Sequence, residues 1–278
     1  MTTPLPGIIV MDNAATAELP DGTVPAFTLQ SLTRWKAFGL HLAISALIAG
    51  TVVALVVVLW YPSPYFAAMG GEVLLRLLIG VDVVIGPLIT LIIFDARKPR
   101  LKYDLATIAV LQVAALAYGG YVMFDARPVY NVFVGDRFHT VPANSIDQDS
   151  LARSAPGFSP LPLDGPRVVG ARKPANAEES TQIAMASMVG GPDIPHLPHL
   201  YVPYASVAAE AARAAKPLVR LAQKGKEPAE QVADFVSVNG RAGRGLGFVP
   251  VKARNRDFAA VVDRKTGEIV GYLPVDPW

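Results

Sequence analysis

Apolar residues fill three runs in the first half of the chain, 38–60, 73–94 and 105–124, with few charges inside them. Each run is about 20 residues long, and at ~1.5 Å rise per residue such a helix crosses a hydrocarbon core of ~30 Å. Beyond residue 124 the apolar positions fall into short stretches separated by Gly, Pro and charged residues. Residues 129–134 and 137–141 flank Gly135-Asp136 and predict a two-residue β-hairpin. Residues 258–263 and 268–273 flank Arg264-Lys-Thr-Gly267 and predict a second hairpin, with 247–252 as a partner strand. Residues 167–171 read as a further strand, and 144–164 and 190–203 as irregular, proline-rich chain. Residues 207–224 read as a helix capped by Ser206, stopped by Gly225 and broken near Ala214 because Pro217 interrupts it. A second helix is expected near Pro228.

The expected fold class is therefore a membrane protein, three transmembrane α-helices followed by a soluble α+β extracytoplasmic domain with an antiparallel sheet of hairpins. The expected domains are a disordered cytoplasmic extension over 1–32, a three-helix transmembrane domain over 33–124, and a periplasmic α+β domain over 125–278. The flanks set the orientation. The link between the second and third runs carries Arg97, Lys98, Arg100 and Lys102, whereas 61–72 between the first and second has no Lys or Arg. Positive loops stay cytoplasmic, which places the N-terminus inside and the C-terminal domain outside. Trp35, Trp60, Tyr61, Tyr65, Phe66, Tyr103 and Tyr121 lie where an aromatic belt belongs.

Charge and composition exclude several classes. Twenty-five basic against 23 acidic residues leave a net charge of +2, which gives no global field for a nucleic acid. Cysteine is absent, which removes disulfides, thiolate metal sites and cysteine nucleophiles. His196-x-x-His199 has metal-ligand residue types but sits in proline-rich sequence, where an ordinary loop is the stronger reading. His41, one turn into the first run, reads as a packing or interfacial histidine before a proton relay. The glycines over 240–247 lack the Gly-Lys-Ser/Thr ending of a phosphate loop. Arg241, Arg244, Lys252, Arg254 and Arg256 form a basic stretch suited to a solvated face, to anionic lipid or to an acidic partner. Nothing assembles a catalytic constellation, and no enzyme activity, cofactor or metal is expected.

Asp82 is the sharpest residue. It lies inside the second run, where a carboxylate is expensive and faces either a partner or the interior of the bundle. Both readings stand at this point. Arg76, Gly80, Gly86 and Pro87 share its run, and Gln112 in the third run is a possible partner for it. Together Arg76, Gly80, Asp82, Gly86, Pro87 and Gln112 are the candidate contacts to a partner helix.

Arg34-Trp-Lys-Ala-Phe-Gly-Leu-His41, Trp60-Tyr-Pro62, Gly80-Val-Asp-Val-Val-Ile-Gly-Pro87 and Asp276-Pro-Trp278 resemble the type IV pilin accessory proteins of the TfpX/TfpZ kind. The resemblance runs from about Thr33 to Trp278 and is densest in the membrane half. It implies a non-enzymatic factor of the bacterial inner membrane that supports assembly of type IV pilin into pili, with the major pilin as partner and membrane lipids as surroundings. Such a pilin has an apolar helix in the membrane and a periplasmic head, and the chain has a part to meet each. An envelope sensor with a ligand-binding outer domain is the competing class. The resemblance carries no catalytic residues and leaves the oligomeric state open.

Overall fold

The computed structural model describes residues 32–239 and 245–278. Most of the expected extension over 1–32, together with Arg241, Arg244 and the glycines at 240 and 243, lies outside them.

Among the described residues three helices are long and apolar enough to cross a membrane: Arg34–Trp60, Gly71–Ile93 and Leu101–Asp125. Thr33 caps the first by accepting from the Lys36 N–H, which satisfies one of the donors a helix N-terminus leaves open. Two stretches widen to π-helix, Val56–Trp60 at the end of the first span and Gly80–Ile85 inside the second.

Among the described residues, the domain after the third span is built on one eight-stranded sheet. Its strands are β1 Pro128–Val134, β2 Arg137–Pro142, β3 Arg167–Ala171, β4 Tyr201–Pro203, β5 Lys216–Pro217, β6 Leu246–Lys252, β7 Phe258–Asp263 and β8 Ile269–Leu273. The order is β4-β3-β1-β2-β6-β7-β8, with β5 beside β6. The β1–β2 and β7–β8 hairpins form where the turn residues demand them, with Gly135 and Gly267 at positive φ. The sheet is mixed rather than wholly antiparallel. β3 joins β1 in parallel, and β6 joins β2 in parallel through Phe138↔Val251 and His139↔Lys252. Hairpin signals are local, whereas the parallel joins are made by distant segments that no turn motif announces.

Pro217 does break the expected long helix. The helix Ala208–Ala214 ends, Lys216–Pro217 joins the sheet edge-on to β6, and one turn resumes at Val219–Ala222. Helix Lys226–Val238 packs Val232 and Phe235 against the sheet. Helix Ala177–Met188 has no buried residue, so it carries no apolar stripe to betray it in the sequence, although Asn176 caps it by accepting from the Glu179 N–H.

The two halves are joined by a plug. The short helix Tyr65–Ala68 between the first and second spans enters the sheet core, with Tyr65 edge-on to Phe258 and Tyr272 at centroid distances of 5.3 and 5.6 Å. The N–H groups of Asn255 and Arg256 both donate to the Ala68 carbonyl, at 2.9 and 3.1 Å.

Candidate functional site

Proline dictates the polar centre of the spans. In the π register of Gly80–Ile85 the Gly86 N–H donates to the Val81 carbonyl, five residues back. The Asp82 carbonyl is then due to residue 87, which is proline and has no N–H. An unpaired carbonyl in hydrocarbon costs several kcal/mol, in order-of-magnitude terms ~1–3 once relaxed. Gln112 of the third span fills the vacancy: its Nε2 donates to the Asp82 carbonyl at 3.0 Å. Gly86 makes this possible, because a Cβ there would overlap the Gln112 amide.

The chain of bonds continues. Gln112 Oε1 can only accept, so His41 Nε2 of the first span donates to it, at 2.8 Å. That leaves His41 Nδ1 to accept from the Thr90 hydroxyl at 2.7 Å. One string, Thr90 to His41 to Gln112 to the Asp82 backbone, therefore ties all three spans together. Gly119 on the third span adds close approach to Leu78 on the second.

The six candidate residues divide. Asp82, at 7% exposure, and buried Gly86 and Pro87 face the bundle interior, and Gln112 works there as the bridge. Both Asp82 carboxyl oxygens are buried without a hydrogen-bond partner among the described residues. Arg76 and Gly80 face outward. Arg76 pairs with Glu72 at 3.1 Å across one exposed helical turn, and a Cβ at Gly80 would meet open space. His41 and Thr90 complete the string. His41 reads from the sequence as a packing histidine, and Thr90 carries no sequence signal beyond being a polar residue in an apolar run.

A second polar clamp sits where the spans meet the sheet domain. Tyr61 Oη donates to the Met123 carbonyl at 2.8 Å, near the C-terminus of the third span where helix carbonyls run out of partners. Arg127 donates to the Phe124 and Pro162 carbonyls at 2.7 and 3.1 Å and lies 3.9 Å over the Phe124 ring. Burial pushes the Tyr61 phenol above its ordinary range and Arg127 below its own.

The two loop histidines take separate partners. His199 Nδ1 lies 2.6 Å from Ser150 Oγ, and its Nε2 is 3.7 Å from Glu179. Hydrogen bonds from Arg172 hold the Glu179 carboxyl down at about 2. His196 lines a cleft with His139 and Asp193 instead. Among the described residues no group of three or more His, Asp or Glu is placed to hold a metal ion.

Two features of the surface suit a partner helix and a partner strand. The third span buries Leu101, Ile108 and Met123, and its outward face carries three alanines, Ala109, Ala114 and Ala117, flanked by the exposed Val110 and Val113, around a shallow groove of about 420 Å³. β8 is the last strand of the sheet, with a strand neighbour on one side only among the described residues.

The model of the fimbrial assembly protein FimB family matches residues 30–70. The chain is 37% identical over 147 residues to the fimbrial assembly protein of serogroup I from Dichelobacter nodosus, covering 52% of this chain and 57% of that protein. The serogroup E1 protein of the same organism is 36% identical over the same lengths. The protein of serogroups C1 and C2 is 36% identical over 122 residues, 43% of this chain and 92% of that protein. The chain thus spans a little over half the length of the first two relatives. No solved structure matches it.

Proposed function

The chain belongs to the fimbrial assembly protein family, and from that premise we propose that it is a membrane-anchored accessory factor for type IV pilus assembly. It acts without catalysis, by contacting the major pilin through its spans and its sheet domain. The observation that carries this reading is the groove on the third span, lined by three alanines and two valines. Apolar side chains gain little by leaving lipid for one another, so helices associate in membranes where small residues let backbones approach. Ala109, Ala114 and Ala117 offer such an approach to the apolar helix of a pilin. The inward residues Gln112, Gly86 and Asp82 hold that face in position, and outward Arg76 and Gly80 extend the contact onto the second span. The open edge of β8 receives the pilin head by strand pairing. The inner membrane is the location, with the N-terminus cytoplasmic and the sheet domain periplasmic, a reading supported by the basic link 97–102 opposite a loop without Lys or Arg.

The test is a clean deletion scored for surface pili and for total pilin, then complemented with Ala114→Leu, which fills the groove. The deletion is expected to lose surface pili while pilin stays in the membrane. Ala114→Leu is expected to restore the protein but lower surface pili several-fold. Normal piliation in the deletion overturns the assembly role, and normal piliation with Ala114→Leu moves the pilin contact off the third span.

A further inference from the structure

An exposed cation, Arg254, stands beside the adjoining ends of the second and third spans. The second span begins at Gly71 and the third finishes at Asp125, so their neighbouring ends lie at one membrane surface, on the side of the sheet domain. Between them runs a groove of about 480 Å³ walled by Val73 and Leu74 on one side and Tyr121 and Val122 on the other. The loop after β6 closes its polar end with Arg254. That loop is fixed there by the two bonds from Asn255 and Arg256 to the Ala68 carbonyl.

The groove itself carries one acid, Asp125, and one base, Arg254, but its surroundings are basic: Lys252, Arg256 and Arg127 stand nearby against Asp257. Asp125 accepts from Asn144 Nδ2 at 3.2 Å and interacts with the Arg127 charge without an ion pair to it, sharing the groove with Arg254. Glu72 at the head of the second span is taken by Arg76. Arg254, Lys252 and Arg256 are exposed and form no ion pair with any described residue. A slot with apolar walls at the ends of two spans, opening onto an exposed guanidinium in basic surroundings, has the two-part chemistry of a phospholipid: chain below, phosphate above.

We propose that the groove between the second and third spans binds an anionic phospholipid, with its acyl chain against Val73, Leu74 and Val122 and its phosphate on Arg254. This inference rests on the membrane-spanning helices and not on the role in pilus assembly. The lipid wedges the plug, the two spans and the β6–β7 loop into one unit at the membrane surface.

The experiment uses the full chain in nanodiscs of phosphatidylcholine, titrated with phosphatidylglycerol and read by native mass spectrometry. The wild-type protein is expected to retain phosphatidylglycerol in preference to phosphatidylcholine. Arg254→Ala should weaken that retention about fivefold, the loss expected of one cation at an anionic surface. Arg254→Lys should keep most of it, and Val73→Trp, which blocks the slot, should lose it with the charge intact. Lys226→Ala removes an exposed cation on another element and should change nothing. Equal loss in Lys226→Ala and Arg254→Ala would reduce the effect to net charge and overturn the site. Retention unchanged in Arg254→Ala overturns it as well. Soluble glycerol phosphate should fail to displace the lipid, and displacement at matched concentration would make the occupant a free phosphate compound and not a lipid.

Discussion

In the sheet domain Phe133, Phe138, Phe248 and Phe258 are all but sealed from solvent, and nearly all charged side chains lie outside, Arg127 at the junction with the spans excepted. In the spans Leu47 is 73% and Ile92 79% exposed, while His41, Thr90, Gln112 and the Asp82 backbone face one another inside. The inversion follows from the solvent. Water drives apolar side chains together, so the sheet is held by the area it removes from water. Lipid offers no such force, so the bundle is held by small residues and by hydrogen bonds whose alternative is an unpaired group in hydrocarbon. The same residue class therefore carries opposite weight in the two halves: a phenylalanine decides the sheet and a glutamine decides the bundle.

The hardest blow to that contrast is struck in the sheet. Phe258 is 1% exposed and meets both Tyr65 and Tyr272. Phe258→Ala should cost about 3–5 kcal/mol, the usual range for emptying a buried aromatic site. It should also loosen the plug, since Tyr65 loses one of its two rings. Urea unfolding of the full chain in detergent, followed by limited proteolysis of the 61–72 loop, measures both. A cost below about 1 kcal/mol would mean that the sheet core is not what holds this half.

Acid should separate the halves next. Burial first, and then the nearby charges of Lys252 and Arg137, hold His139 at about 4 against an ordinary 6.5. A histidine with a depressed folded value favours the fold above its unfolded value. That advantage is lost as pH falls from 6.5 through 4, because the unfolded chain binds the proton first. The loss is on the order of 2–3 kcal/mol. The urea midpoint of the sheet transition should fall between pH 7.5 and 4.5, and His139→Gln should flatten the fall. An equal fall in the variant assigns the acid response to other groups.

What could be read in advance divides along the same line. The spans were legible because hydrophobic length is a property of a single segment. The β1–β2 and β7–β8 hairpins were legible because Gly135 and Gly267 announce their own turns. The parallel joins β1–β3 and β2–β6 were not, since each pairs segments with no turn between them. In the candidate site, Asp82, Gly86, Pro87 and Gln112 stood out as polar, small or helix-breaking residues among apolar ones. Their roles did not. That Pro87 orphans the Asp82 carbonyl depends on the local π register, and that Gln112 answers it depends on helix packing. Thr90 and the bridging part of His41 emerge only when all three spans are in place.

The subtlest test lies in that string. Gln112→Leu keeps volume and apolar character but deletes two bonds, leaving the Asp82 carbonyl and His41 Nε2 without partners. Individual hydrogen bonds between membrane helices are worth about 0.6 kcal/mol on average and up to about 1.7. Gln112→Leu should therefore cost about 1–2 kcal/mol, less than Phe258→Ala, when the bundle is unfolded in mixed micelles. His41→Leu removes the bond it shares with Gln112 and the bond from Thr90. Because one bond is common to both variants, the double variant should cost less than the sum, by roughly the value of that bond. Additive losses would mean that His41 and Gln112 act separately, and the three spans would then be held by packing, as the sheet is. Sub-additive losses would make the string the bundle's counterpart of a hydrophobic core, with Gly86 present so that a side chain from one helix can serve the backbone of another.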